Sequence, residues 1–301
     1  MGIYWHEAKA LIELYRAQGP LGRTATLGRQ VFYTYRSQLA SLLKGLAGGA
    51  EFIAALPKKG LPPSADTFFM LLGATEVVSF DNSEYEGASV VHDMNVPLPQ
   101  QYRDSFDFVY DGGTLEHIFN FPQAIRNCMD LLKVGGTFVT STPANNFMGH
   151  GFYQFSPELF FRLFCPENGF HLGRSLAYEC EMGGAWYEME DPKNLRRRVE
   201  LLATGARIQL WIEARKVAAQ LGELPLLPQQ SDYAAQWESH ATQLAGATPL
   251  HKSFRQTLRV YGEDYCPGLV DYFRRVRDKR RLRSCQRRGL RSDPRAYKQI
   301  A

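Results

Sequence analysis

The sequence predicts an α/β protein built on a doubly wound, mostly parallel sheet, with a helical C-terminal extension. Three observations predict it. Short β-rich runs alternate with helical patterns over the first two thirds of the chain, which requires βαβ crossovers and a sheet covered on both faces. Three successive strand candidates each end on an aspartate: Asp81, Asp93 and Asp111. Beyond Ala218 the pattern becomes polar and helical, and near its end strongly basic. The chain therefore divides into residues 1–218, which carry the sheet, and residues 219–301, the extension.

The elements follow in order. Ala8, Leu11, Ile12, Leu14 and Tyr15 recur near helical spacing, so a helix is expected over His6–Ala17, ended by Gln18-Gly19-Pro20. Arg23–Leu27 reads as a first strand that stops at Gly28, and Val31–Leu46 as a helix. Leu56–Pro63 is a loop, after which Ser64 is placed to cap a helix over Ala65–Leu72. Glu76–Phe80, Ser89–His92 and Phe106–Tyr110 are strands. Pro122–Leu132 is an amphipathic helix broken by Gly135-Gly136, and Thr137–Thr142 is the next strand. Ser156-Pro157 opens a helix to Phe164, with Ser at the cap and Pro in the first turn. Ser175–Glu179 and Arg207–Val217 are further strands, and Leu224–Pro228 is a linker.

Composition narrows the class. Of 301 residues 45% are hydrophobic and 22% charged, enough to bury a sizeable core. No apolar run reaches the roughly 18–20 residues that span a bilayer. The first residues lack the basic and apolar regions of a signal peptide. Five cysteines (Cys128, Cys165, Cys180, Cys266, Cys285) are widely spaced without a CxxC pair, which argues against a disulfide framework or a thiolate zinc site. Free thiols in a reducing cytoplasm, and no metal, are the expectation. Arg274–Arg291 holds ten Lys/Arg against Asp278 alone, +9 where the whole chain is +4. A solvated helix face or an anionic contact are equal readings of that segment.

In a doubly wound sheet ligands bind beyond the carboxyl ends of the strands. Those positions hold Gly28-Arg29-Gln30, Asp81-Asn82, Asp93-Met94-Asn95, Asp111-Gly112-Gly113-Thr114 and Thr142–Asn146. A buried strand end needs no carboxylate, and an unpaired one is costly to desolvate. Asp81 suits the acceptor of hydrogen bonds from vicinal ribose hydroxyls, and Asp93 that of an adenine amino group. No GxGxxG follows the first strand, which argues against a dinucleotide-dependent dehydrogenase.

Phe106-Asp107-Phe108-Val109, Leu115-Glu116-His117-Ile118, Leu131–Phe138 with Gly135-Gly136, and Thr142-Pro143 together resemble the class I S-adenosylmethionine-dependent methyltransferases over roughly Thr24–Phe164. The resemblance implies a seven-stranded, Rossmann-like sheet and S-adenosylmethionine as cofactor. Gly28, Arg29, Gln30, Asp81, Asn82, Asp93, Met94, Asp111, Gly112 and Gly113 fall at its binding positions. Val134 stands where the pattern has proline. The first loop has one glycine where the family has several, and Arg29 is expected either to pair with the methionine carboxylate or to block the pocket. Asp81–Ala88, Asp111–His117 and Gly149–Glu158 further resemble a bacterial subgroup associated with cell-surface glycan gene sets.

Transfer to a hydroxyl needs a base near neutral pKa. His150, in a glycine-flanked loop after the fifth strand, and His117 are the candidates, with Tyr153 and Gln154 orienting a small polar or glycan acceptor. Two other readings stand beside O-methylation. A nucleic-acid methyltransferase rests on the basic tail alone. A non-catalytic protein that keeps the fold rests on the reduced glycine loop.

Overall fold

The computed structural model describes residues 2–34, 36–57, 63–181, 183–200, 205–219, 226–237 and 267–300. Parts of the expected loop at 56–63 and linker at 224–228, most of the polar segment after it, and Cys266 lie outside these residues.

The chain opens with β1 (Gly2–Ile3) and α1 (Trp5–Gln18). Glu7 sits at the third helical position and accepts from the Tyr4 amide at 3.1 Å, satisfying one of the donors a helix start leaves open. The first sheet strand is β2 (Gly22–Leu27). The helix expected over Val31–Leu46 is not continuous. Val31–Phe32 forms a short strand, β3, parallel to β1, and helices follow at α2 (Arg36–Leu42) and α3 (Gly49–Ala55). The reason is long-range: the Phe32 amide is taken by the Pro63 carbonyl, and Tyr33 stacks on Tyr4 at 4.9 Å. Ser64 does accept from the Asp66 amide, at the start of α4 (Asp66–Leu71).

β4 (Ala74–Asp81), β5 (Val90–Val91) and β6 (Phe106–Asp111) lead to α5 (Phe121–Leu131), β7 (Leu132–Asn145), α6 (Pro157–Leu163) and β8 (Phe170–Glu179). Then come β9 (Trp186–Met189), α7 (Pro192–Leu195), β10 (Ile208–Lys216), the C-terminal helix Pro267–Arg288 and β11 (Tyr297–Ile300). Among the described residues no helix is long and apolar enough to cross a membrane.

Among the described residues nine strands make one sheet in the order β5-β4-β2-β6-β7-β10-β8-β9-β11. β5 through β7 are parallel. β10 enters antiparallel between β7 and β8. These seven are the expected mostly parallel sheet. β9 and β11 extend it to nine; of the described residues after 218, 231–237 and Pro267–Arg288 are helical and Tyr297–Ile300 returns to the sheet edge. Neither short strand shows a period long enough to read in the sequence.

Both faces are covered. Ala124, Ile125, Cys128 and Met129 of α5 pack with Phe160 of α6 on Leu27, Val78 and Val109. On the other face, Leu11 and Ile12 of α1 and Phe68 and Phe69 of α4 meet Phe108, Tyr110, Val139 and Trp211. Fully burying such a side chain stabilises by roughly 1.5–3 kcal/mol. Lys216 ties the layers together. Its buried ammonium donates to Asp104 at 2.7 Å and to the carbonyls of Met129 and Leu132, which the end of α5 leaves without helical partners.

Candidate functional site

β2, β4 and β6 finish level with one another, because Leu27 pairs with both Phe80 and Asp111. Gly28, Asp81 and Gly112 therefore open on one edge of the sheet. Gly28 turns away from β2 at φ +67°, and its amide donates to the Phe80 carbonyl at 2.7 Å. Asp81 is half-buried, and among the described residues its carboxylate has no hydrogen-bond or ion-pair partner. Those lone pairs suit ribose hydroxyls. Asn82 beside it is exposed.

Other expected cofactor residues are already engaged. The Arg29 guanidinium donates to Asp66 at 3.1 Å and to the Gly87 carbonyl, tying the loop after β2 to the loop after β4. It is thus a brace rather than a group held open for a carboxylate. Asp93 accepts from the amide and side chain of Asn95, at 2.9 and 2.7 Å, and these two bonds hold its carboxyl below the usual range. Met94 is buried beside Asn127, whose amide donates to the Met94 carbonyl. Gln30 is buried. Its amide donates to the Leu27 carbonyl, while its Oε1 has no partner among the described residues.

Asp111 points into the protein. It is fully buried and accepts from the amides of Thr114 and Leu115 and, at 2.6 Å, from the Thr140 hydroxyl. Burial raises its pKa to about 6 against the pull of those donors. Its role is to brace the single 3-10 turn Leu115–His117. Gly112, by contrast, must be small. A methyl there would lie 2.8 Å from Tyr110 Cε1 and closer still to Gln30 Oε1. Gly112→Ala is expected to cost about 1–3 kcal/mol in denaturant unfolding, as overpacking of a filled interior does. Gly113 continues the turn at φ +88°.

Next to this edge lies a cavity of about 310 Å³. Gly112, Gly113, Glu116 and His117 form one wall and His150 the rim. The opposite wall comes from the chain's beginning, with Tyr4 and Glu7, and from Tyr178 and Gln209 of β8 and β10. Glu7 is buried and accepts from the hydroxyls of Ser141 and Tyr178. His6 behind it accepts from the Trp186 indole at Nδ1 and lies 2.9 Å from the Glu181 carbonyl at Nε2, an arrangement that needs the proton on Nε2. Burial lowers the pKa of His6.

His117 and His150 are brought together, with ring centroids 5.3 Å apart. Between them is Glu116, which has no signal of its own in the sequence beyond standing in the Leu115-Glu116-His117 run. Its carboxyl is buried, 3.7 Å from His150 Nε2 and 4.0 Å from His117 Nε2. Burial, with the nearby charge of Asp111 adding to it, pushes Glu116 up to about 8. Burial and then His150 lower the pKa of His117. Tyr153 does not line the cavity. Its hydroxyl donates to the Phe119 carbonyl at 2.6 Å, and Gln154 accepts from the Phe147 amide, so both shape the 147–154 loop. Nothing local in the sequence pointed to Glu7, Tyr178 or Gln209, which meet only through the sheet.

A family model described as a methyltransferase domain matches residues 70–140, the stretch from α4 through β4, β6 and α5 to the middle of β7. Over that stretch the chain is similar to a methyltransferase domain. No curated protein matches the chain. Among solved structures it is similar to a Burkholderia thailandensis 1,6-didemethyltoxoflavin-N1-methyltransferase holding its substrate and S-adenosylhomocysteine. The identity is 16%, over 71% of this chain and 78% of that one, with a TM-score of 0.37. It is also similar to the N-methyltransferase NodS of Bradyrhizobium japonicum with S-adenosylhomocysteine, at 10% identity over 70% and 86% of the two chains, TM-score 0.40. A branched-chain polyamine synthase from Thermus thermophilus matches at 17% identity over 74% and 60%, TM-score 0.35.

Proposed function

We propose that the protein transfers a methyl group from S-adenosylmethionine to a hydroxyl of a small polar acceptor, a sugar or glycan unit. The observation that carries this reading is the position of the Glu116, His117 and His150 cluster. It lines a cavity that shares Gly112 and Gly113 with the ligand edge of the sheet. A cofactor on that edge and an acceptor in the cavity would meet across those two glycines.

The residues present fit the cofactor in part. The free carboxylate of Asp81 and the turn at Gly28 put polar groups on the open edge of the sheet. When bound, S-adenosylmethionine supplies a methyl group on a sulfonium, and displacement at such a carbon depends mainly on positioning. The chain's own residues hold the acceptor between the Glu7 wall and the histidines. In the metal-free protein, His150 Nε2 takes the hydroxyl proton, with the Glu116 carboxyl beside it. The basic face of Arg274–Arg291 would suit an anionic carrier of the acceptor.

Calorimetric titration with S-adenosylhomocysteine tests the reading. One saturable site per chain is expected, weakened about 10–100-fold in Asp81→Ala through lost hydrogen bonds to a charged group. No heat and no thermal shift at millimolar ligand would leave the non-catalytic reading in its place.

A further inference from the structure

We propose that Glu116, His117 and His150 form a binding site for one divalent transition-metal ion, zinc being the ion their donor set suits best. One carboxylate oxygen and two imidazole nitrogens lie within 4.8 Å of one another. Glu116 Oε1 is 3.7 Å from His150 Nε2 and 4.0 Å from His117 Nε2. These separations are too long for hydrogen bonds. In a tetrahedral zinc site with bonds of roughly 2.0–2.1 Å, ligand atoms stand about 3.4 Å apart, so Glu116 Oε1 has about 0.3 Å to close on His150 and about 0.6 Å on His117, and no pair of the three atoms has more than about 1.4 Å to close.

The surroundings support a metal over a self-contained polar cluster. Among the described residues nothing hydrogen-bonds to either imidazole ring, and the Glu116 carboxyl accepts from its own backbone amide and, at 3.5 Å, from the Thr142 hydroxyl. A buried carboxylate with so little compensation is costly, and a cation supplies what is missing. The scaffold is already assembled. The turn bearing Glu116 and His117 is braced by Asp111, and the loop bearing His150 is tied to it by the amides of Phe152 and Tyr153, which donate to the Glu116 carbonyl. Glu116 is buried while the histidine side chains are 45% and 52% exposed, so one ligand is fixed and two are free to adjust.

Two imidazoles and one carboxylate suit zinc and its neighbours, whereas magnesium and calcium favour oxygen-only sites with more ligands. The absence of CxxC spacing excludes only thiolate sites. Three protein ligands leave a fourth position open to the cavity. The site's consequence, though not its existence, rests on the methyltransferase reading. In the loaded protein the imidazoles are ligands, and the ion would take over from His150 by coordinating the acceptor hydroxyl and lowering its pKa, so that the proton passes to water at the open side of the cavity and the oxygen takes the methyl as the carbon–sulfur bond breaks, leaving S-adenosylhomocysteine.

The test uses the full chain, stripped with chelator, freed of it, and titrated calorimetrically with zinc chloride. One zinc per chain is expected at micromolar affinity or tighter, weakened about 100-fold or more in both Glu116→Gln and His150→Ala by loss of one of three ligands. Cys180→Ser, which alters the only described cysteine in the cavity lining, should bind zinc as the parent does. Cobalt(II) in place of zinc should give visible absorption of tetrahedral intensity. Absence of saturable zinc binding below about 0.1 mM, or affinity unchanged in Glu116→Gln and His150→Ala, would overturn the proposal. S-adenosylhomocysteine binding, measured on the zinc-free chain, reads the methyltransferase assignment separately.

Discussion

His150→Ala is expected to lower turnover by about 10²–10⁴-fold, the usual worth of a positioned proton acceptor, while S-adenosylhomocysteine affinity stays within about twofold. The separation follows from geometry. His150 lines the cavity from the loop after β7, whereas Gly28 and Asp81, at the ends of β2 and β4, are not among its lining residues. Its side chain is half-exposed, and its nearest ring neighbours are His117 and Phe147, at 5.3 and 5.5 Å. Truncation therefore removes little buried surface, and the thermal midpoint should hold. The split between rate and cofactor affinity is the readout. If both fall together, or neither does, His150 does not act on the acceptor.

Asp111→Ala is expected to destabilise the protein by about 3–5 kcal/mol, because it strands three donors that Asp111 now satisfies, each worth roughly 1–3 kcal/mol when left buried and unpaired. Those donors are the Thr114 and Leu115 amides and the Thr140 hydroxyl. The turn that carries Glu116 and His117 loses its brace with them. Asp111→Asn should behave differently. The amide oxygen still accepts from the turn, and the amide group donates to a reoriented Thr140 hydroxyl.

The same pair reads the pH dependence. The carboxyl of Asp111 is raised to about 6 in the folded protein, from 3.8. A raised acid binds its proton more tightly when folded. Its contribution to stability is therefore complete below pH 3.8 and is lost as pH rises through about 6, by roughly 3 kcal/mol. Subtracting the Asp111→Asn unfolding free energies from those of the parent between pH 4 and 7 should expose that slope. A flat difference curve would mean that the Asp111 carboxyl is ionised in the folded state at no cost.

The split behaviour of the strand-end acids shows where the sequence stops being informative. Asp81, Asp93 and Asp111 occupy equivalent places after successive strands, and the alternation of strands and helices located all three. Yet Asp81 keeps a free carboxylate, Asp93 closes a turn on Asn95, and Asp111 is sealed inside. The deciding donor for Asp111, Thr140, is 29 residues away on the neighbouring strand. A residue's type and spacing do not record whether a distant hydroxyl will arrive to donate to it.

What the sequence by itself determined is the local grammar. Apolar runs ending in acids, the helix expected over Pro122–Leu132 and found at Phe121–Leu131, the Gly135-Gly136 break and the strand that follows are short-range patterns, and they made the fold legible. The tertiary structure decided how the site is closed. Glu7 reaches Ser141 and Tyr178 across 134 and 171 residues, and β11 returns from the chain's end to pair with β9. It also brought Glu116 and His117 to His150 through loop hydrogen bonds between segments some 35 residues apart. Local propensity is set by neighbours in sequence, whereas burial, charge compensation and the meeting of three ligand atoms are set by neighbours in space.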